Sequence, residues 1–259
     1  MVSYSNVLPL TEFRARPQPR GERELRKELA AAYRIFDHLG WTELALIYGH
    51  ITVRLPGPER HFLINPFGLR YDEVTASNLV KIDLDGALVD RGAHPVNPAG
   101  FIIHGAIHAA REDAHCVMHT HTLAGMAMAA SGVPIRSHDF AGASLIDRVA
   151  YHDFAGVHAD FSDRAALVRS LGDKSAMVMR NHGLLSCGPS VASSFRRLFA
   201  LETACRVQVA ALSMNVPLVE PPAAIAESHA RVLDEADDGE MAFAALYRLM
   251  ESRDPSFLN

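Results

Sequence analysis

The sequence predicts an α/β protein, a three-layer α/β/α domain around a central, mostly antiparallel sheet. Short apolar runs read as strands, and longer runs with a helical period read as helices. The two kinds follow one another without the regular strand–helix alternation of a parallel sheet. With 259 residues, 49% of them apolar and 21% charged, the chain can bury a substantial core.

The elements follow in order. Residues 1–21 carry Pro17, Pro19 and scattered arginines without an apolar period and read as a flexible arm. From Glu22 the residues Leu25, Leu29, Ala32, Tyr33 and Phe36 share one helical face, and Gly40 is placed to end that helix. Ile47 to Arg54, His61 to Asn65 and Val80 to Leu84 read as strands, divided by turn signals at Pro56-Gly57-Pro58, Asn65-Pro66 and Asp85-Gly86. Asn97-Pro98 supplies an N-cap and a first-turn proline for a helix reaching about Arg111. A strand from Ala114 to Thr120 and a small-residue helix from Leu123 to Ala130 come next. Arg164 to Leu171 reads as a helix, Ser175 to Arg180 as a buried strand and Ser190 to Met214 as a long helix. Residues 22–215 form the expected domain, and 216–259 a helical extension.

Bulk properties narrow the function. A formal net charge of −5 gives no nucleic-acid footprint. No stretch is long and uncharged enough to cross a bilayer, and the amino terminus does not read as a signal peptide. Three widely spaced cysteines read as reduced thiols of a cytoplasmic protein. Phosphate-binding glycine loops, nucleophile elbows and C-x-x-C pairs are absent. Histidine stands out, with 14 residues.

His119-Thr120-His121 lies at the end of a strand, where residues two apart point to the same side, so both imidazoles converge. Two or three imidazoles at about 2.0–2.1 Å suit a divalent transition metal. Asn181-His182-Gly183, directly after the second buried strand, offers the third ligand. His104 and His108 stand four apart on a helix, but Gly105 occupies the place of the glutamate in H-E-x-x-H. They read as helix histidines, one bonded and one solvated. His115 reads as structural, and His94, His152, His158 and His229 as loop or surface residues.

Several motifs in fixed order resemble the class II aldolase/adducin family, including the fuculose-phosphate aldolases. They are Gly49-His50-Ile51-Thr52, Ile64-Asn65-Pro66-Phe67-Gly68, Val96-Asn97-Pro98-Ala99-Gly100, Ala110-Arg111-Glu112-Asp113, His119-Thr120-His121 and Arg180-Asn181-His182-Gly183-Leu184. The resemblance spans about Glu22 to Leu212. It implies a metal on His119, His121 and His182 and a homotetramer of cyclic symmetry with active sites near its interfaces. It also implies a glutamate near the start of the helix before H-x-H and two phosphate-contacting serines. This chain has Gly100, Pro98 and Ala99 at those positions. A tyrosine that the aldolases contribute across an interface maps near Ser137-His138, which makes His138 the candidate proton donor.

These departures turn the reading to a metal-dependent carbon–carbon lyase on a small, non-phosphorylated oxo or hydroxy acid. Its ion is zinc in the first place, with manganese and iron as alternatives. His50, Asn65, Gly68 and Asn97 are candidate substrate contacts, with turn and cap roles as the alternative for His50, Asn65 and Asn97. A branch of the family that cleaves oxo acids with iron and O₂ is the second reading. A non-catalytic module like the head of adducin is the third, although such a module has no need of the three ligands.

Overall fold

The computed structural model describes residues 20–90, 94–156 and 164–259, so residues 1–19 of the arm and His158 lie outside the described residues. The strands are β1 (His50–Arg54), β2 (Phe62–Ile64), β3 (Val80–Ile82), β4 (Cys116–Thr120), β5 (Val149–His152), β6 (Ala176–Met179) and β7 (Gly183–Gly188). They form one sheet in the order β3-β2-β1-β4-β7-β6-β5. Every neighbouring pair is antiparallel except β5 and β6.

The helices are α1 (Glu22–His38), α2 (Pro98–Ala110), α3 (Leu123–Ser131), α4 (Phe140–Ser144), α5 (Arg164–Leu171), α6 (Val191–Ser213), α7 (Ala223–Ala236) and α8 (Glu240–Arg253). The three layers follow from strand alternation. On β4, Cys116 and Met118 enter a core shared with Leu29 and Phe36 of α1 and Leu198 and Leu201 of α6. Val117, between them, faces the opposite core with Ile107 of α2 and Leu167 of α5. Segment 216–259 belongs to the first of these cores: Phe243, Met250 and Phe257 are buried in it, and the Phe257 carbonyl accepts from the Ala76 N–H at 2.8 Å.

Three elements escape the periodicity. Strand β7 starts at the glycine of a turn and is buried along its whole length. It therefore lacks the apolar–polar alternation that marks a half-exposed strand. Strand β5 carries a histidine, and α4 is a short turn capped by Asp139, whose carboxylate accepts from the Ala141 and Gly142 N–H groups.

Helix α2 is held at its carboxyl end by a buried guanidinium. Arg54, on β1, donates to the carbonyls of His108 and of Arg111, the latter at 2.8 Å. It also pairs with the Glu112 carboxylate at 3.1 Å. Arg60 reaches the same carboxylate at 2.6 Å, so Glu112 clamps the two arginines. Helix-terminal carbonyls lack intrahelical donors, and a cation there meets both them and the helix dipole. Replacing Arg54 by Leu is expected to lower stability by about 2–4 kcal/mol, because buried carbonyls lose their donors. Urea unfolding of wild type and variant measures this.

Candidate metal centre and cavity

The sheet topology gathers one end of five strands. Strands β4, β5 and β6 run in the same direction and β1 and β7 run against them. The carboxyl ends of the first three therefore meet the amino ends of the other two. His119, His121, His152 and His182 come from the first group and the turn beyond it. His50 comes from the start of β1, where it is paired in register with His119.

The turn between β6 and β7 brings His182 to the pair on β4. Asn181 takes a left-handed φ of 54°, which Asn tolerates better than most residues. Gly183 follows against the β4 backbone, where an added Cβ would lie 2.2 Å from the Thr120 carbonyl oxygen and 3.2 Å from His119 Cε1. A glycine is required by this close approach. One ligand nitrogen from each of His119, His121 and His182 then lies within 4.8 Å of the others. The His119 and His121 Nε2 atoms are 2.8 Å apart. His119 Nδ1 donates to the Leu184 carbonyl at 2.8 Å, which fixes the tautomer and turns the Nε2 lone pair inward.

Burial keeps these imidazoles neutral, as metal ligands must be. It pushes His119 well below the usual range and lowers His121. His182 falls to about 4 by burial, reinforced by the neighbouring His121 and His152. Three neutral imidazoles with converging lone pairs fit a divalent transition ion.

The triad opens on a cavity of about 450 Å³ lined also by His50, Asn97, Tyr48, Phe67, Phe154 and Arg180. His50 is nearly fully buried, and burial lowers its pKa to about 4. Its Nδ1 faces Asn65 Oδ1 at 3.4 Å and its Nε2 faces Asn97 Nδ2 at 3.4 Å. Asn65 is itself pinned by Tyr33, whose hydroxyl lies 3.0 Å from Asn65 Oδ1. Asn65 therefore stands behind His50, outside the cavity lining. Gly68 takes φ 99°, and it is the neighbouring Phe67 that reaches the cavity wall. His138 does not line the cavity of the single chain; its Nδ1 is buried without a hydrogen-bond partner.

Gly100 explains what fills the site where an aldolase glutamate would start. A Cβ at Gly100 would lie 2.4–2.6 Å from three atoms of the His50 ring. The imidazole occupies the room that any side chain at this position needs.

Beneath His50 the two helix histidines are both buried and both bonded to one hydroxyl, contrary to the expectation that one is solvated. Thr52 Oγ1 lies 2.8 Å from His104 Nδ1 and 2.8 Å from His108 Nε2. His108 Nδ1 donates to the Ala114 carbonyl at 2.9 Å, so its Nε2 accepts from Thr52 and the Thr52 oxygen accepts from His104. His152, read as a loop or surface residue, ends β5 and lines the cavity. Arg180 and Phe67 stand in the motifs of the resemblance without an assigned role, and the other apolar wall residues carry no local signal.

Residues 27–209 match the Class II Aldolase and Adducin N-terminal domain. The chain belongs to this family. It is 41% identical over 243 residues to a putative aldolase class 2 protein of Caulobacter vibrioides, covering 91% of this chain and 92% of that protein. It is 40% identical over 271 residues to alpha-adducin of Mus musculus, covering 97% of this chain but 36% of the adducin. The solved L-fuculose 1-phosphate aldolase of Glaciozyma antarctica superposes with a TM-score of 0.81 at 27% identity, over 94% of this chain and 96% of that one. The α/β fold expected from sequence is that of the family, with a mixed seven-stranded sheet.

Two outcomes are expected from this geometry. Gly100→Ala lowers stability by about 1–3 kcal/mol through overpacking against His50, and His50→Ala in the same chain recovers most of that loss. Urea unfolding of both single variants and the double variant measures this coupling. The second concerns acid. Burial pushes His108 from 6.5 to about 3, so below about pH 6.5 the unfolded chain binds a proton that the folded chain refuses. Stability falls from about pH 6.5 toward 3, by about 2 kcal/mol between about pH 7 and pH 5 for this group alone. A His108→Leu variant is expected to show the shallower pH dependence in the same unfolding assay.

Proposed function

We propose that the chain is a metal-dependent carbon–carbon lyase acting on a small, non-phosphorylated oxo or hydroxy acid. The observation that carries the reading is the convergence of three neutral imidazoles on a mostly apolar cavity that also holds His50. A divalent ion, zinc first, on His119, His121 and His182 supplies Lewis-acid stabilisation of negative charge on a substrate oxygen.

The side chains of the site provide the rest. Asn65 holds Nδ1 of His50 and leaves its Nε2 toward Asn97 and the cavity, placed to accept the proton of a substrate hydroxyl. Asn97 contributes an amide donor beside it. In retro-aldol cleavage the hydroxyl proton passes to this imidazole as the C–O bond becomes a carbonyl. The electron pair of the breaking C–C bond moves into the oxo-acid fragment, whose carbon then takes up a proton. His138 serves as donor only if a second copy brings it to the cavity, which suits a homotetramer with sites near its interfaces. The phosphate-contacting serines of the aldolases have no counterpart at Pro98 and Ala99, which supports an acid without phosphate.

The likeness to alpha-adducin favours a second reading, a non-catalytic interaction module. Metal content of anaerobically purified protein separates the two. The lyase expects about one zinc or manganese per chain, and His119→Ala and His121→Ala to bind at least about tenfold less. Pyruvate or carbon dioxide release from a panel of oxo and hydroxy acids then reads the activity. Iron with substrate-dependent O₂ uptake would transfer the site to oxidative cleavage. A wild type as free of metal as its variants would leave the interaction module.

A further inference from the structure

Arg180 directly follows β6, lines the cavity and opens the turn that carries His182. Its guanidinium carbon lies 4.6 Å from the centre of the Tyr151 ring, an arrangement that holds the plane of the group. Its Nη1 is buried and has no hydrogen-bond partner, and it forms no ion pair with a described residue. The other arginines near the site differ. Arg54, Arg60 and Arg111 are each paired with a carboxylate. Arg164, also on the cavity wall, directs both terminal nitrogens at the Leu84 carbonyl. Arg180 is therefore a half-buried, oriented cation at the cavity, with a buried Nη1 whose acceptor no described residue supplies. Buried guanidinium donors normally find partners, and the fork of two parallel N–H groups matches a carboxylate.

Beside the polar Asn97, His152, Asp153 and Arg164, much of the remaining wall is of a different kind. Tyr48, Phe67, Ile102, Ile103, Phe154 and Leu167 present mostly carbon to the cavity. The hydroxyls of a polyhydroxylated substrate that faced these side chains would lack partners, whereas an aryl or branched alkyl group would be desolvated against them.

We propose that Arg180 is the carboxylate anchor of this cavity and that its ligands are oxo or hydroxy acids with a bulky apolar body. The inference rests on the reading of this cavity as the substrate site and names its substrate class. It does not require turnover, so binding tests it separately from lyase activity.

Phenylpyruvate is the probe, titrated calorimetrically into the full chain as purified with its metal. Pyruvate, phenylacetone and dihydroxyacetone phosphate serve as comparisons. The expected pattern has four parts. Phenylpyruvate binds at least about tenfold more tightly than pyruvate, which lacks the apolar body, and than dihydroxyacetone phosphate. Phenylacetone, which lacks the carboxylate, binds more weakly than phenylpyruvate. Arg180→Met weakens phenylpyruvate by about tenfold or more and leaves phenylacetone unchanged. Arg180→Lys, which keeps the charge without the fork, falls between.

The circular dichroism and melting temperature of each variant are recorded beside the titrations, and Arg180→Lys carries the comparison if Arg180→Met does not fold. Equal phenylpyruvate affinity in wild type and variant, or no binding of it at millimolar concentration, would overturn the proposal. So would preferential binding of the phosphate. Turnover of a phosphorylated polyol would likewise overturn it, together with the non-phosphorylated substrate class, while leaving a metal-dependent carbon–carbon lyase. The expected binding pattern without turnover of any acid would do the reverse.

Discussion

The site depends on how closely two neighbouring strand ends approach. Gly183 stands where an added Cβ would lie 2.2 Å from the Thr120 carbonyl oxygen, so β7 can begin hard against the end of β4 only without a side chain there. This contact sets the register in which His119 faces Leu185 and Thr120 faces Leu184. The register in turn places the Leu184 carbonyl 2.8 Å from His119 Nδ1. One backbone approach thus brings His182 beside the H-x-H pair and also orients one of its rings. The sheet supplies direction and the glycine supplies proximity.

The imidazoles around this edge work because they are kept out of water. Burial lowers the proton affinity of His50, His104, His108 and His119, since an imidazolium in an apolar interior loses its hydration. A neutral ring has one donor and one acceptor nitrogen, and a directed partner decides which is which. The Ala114 carbonyl settles His108, Thr52 passes the polarity on, and His104 is left with its Nε2 unpartnered beneath His50. The Leu184 carbonyl does the same for His119, and Asn65 for His50. Acid stability is sacrificed for a set of rings whose lone pairs are assigned by the fold.

Much of this was legible because it rests on local chemistry. Asn97-Pro98 announced α2, and the spacing of His119 and His121 announced a shared side of a strand. What escaped was set by tertiary burial. A fully buried β7 has no alternation to read. Strand β5 looks polar because Tyr151 packs against the first core with its hydroxyl accepting from the Ile135 N–H, while His152, on the opposite face, lines the cavity. His104 and His108 look alike in sequence to any helix pair, and only the sheet residue Thr52 shows that both are core. The cavity wall was invisible for a related reason. Tyr48, Phe67, Ile102 and Phe154 lie on four separate segments, and nothing local distinguishes a cavity wall from a core.

The relation between Gly100 and His50 bears on how a shared fold can support different chemistry. In the aldolase pattern a carboxylate rises from the start of the helix that is α2 here, beside the metal. In this chain the backbone at the same point is bare, and an imidazole from β1 lies across it at a distance that excludes even a methyl group. The two arrangements compete for one volume, so a chain that gained the histidine could not keep the glutamate without moving one of them. A carboxylate would bring a negative charge next to a divalent ion. A neutral imidazole held by Asn65 and Asn97 leaves the net positive charge of the centre undiminished. With the proposed ion bound, such a centre would attract an anionic substrate more strongly, and the Arg180 guanidinium on the same cavity, which no described carboxylate pairs, would act in the same sense.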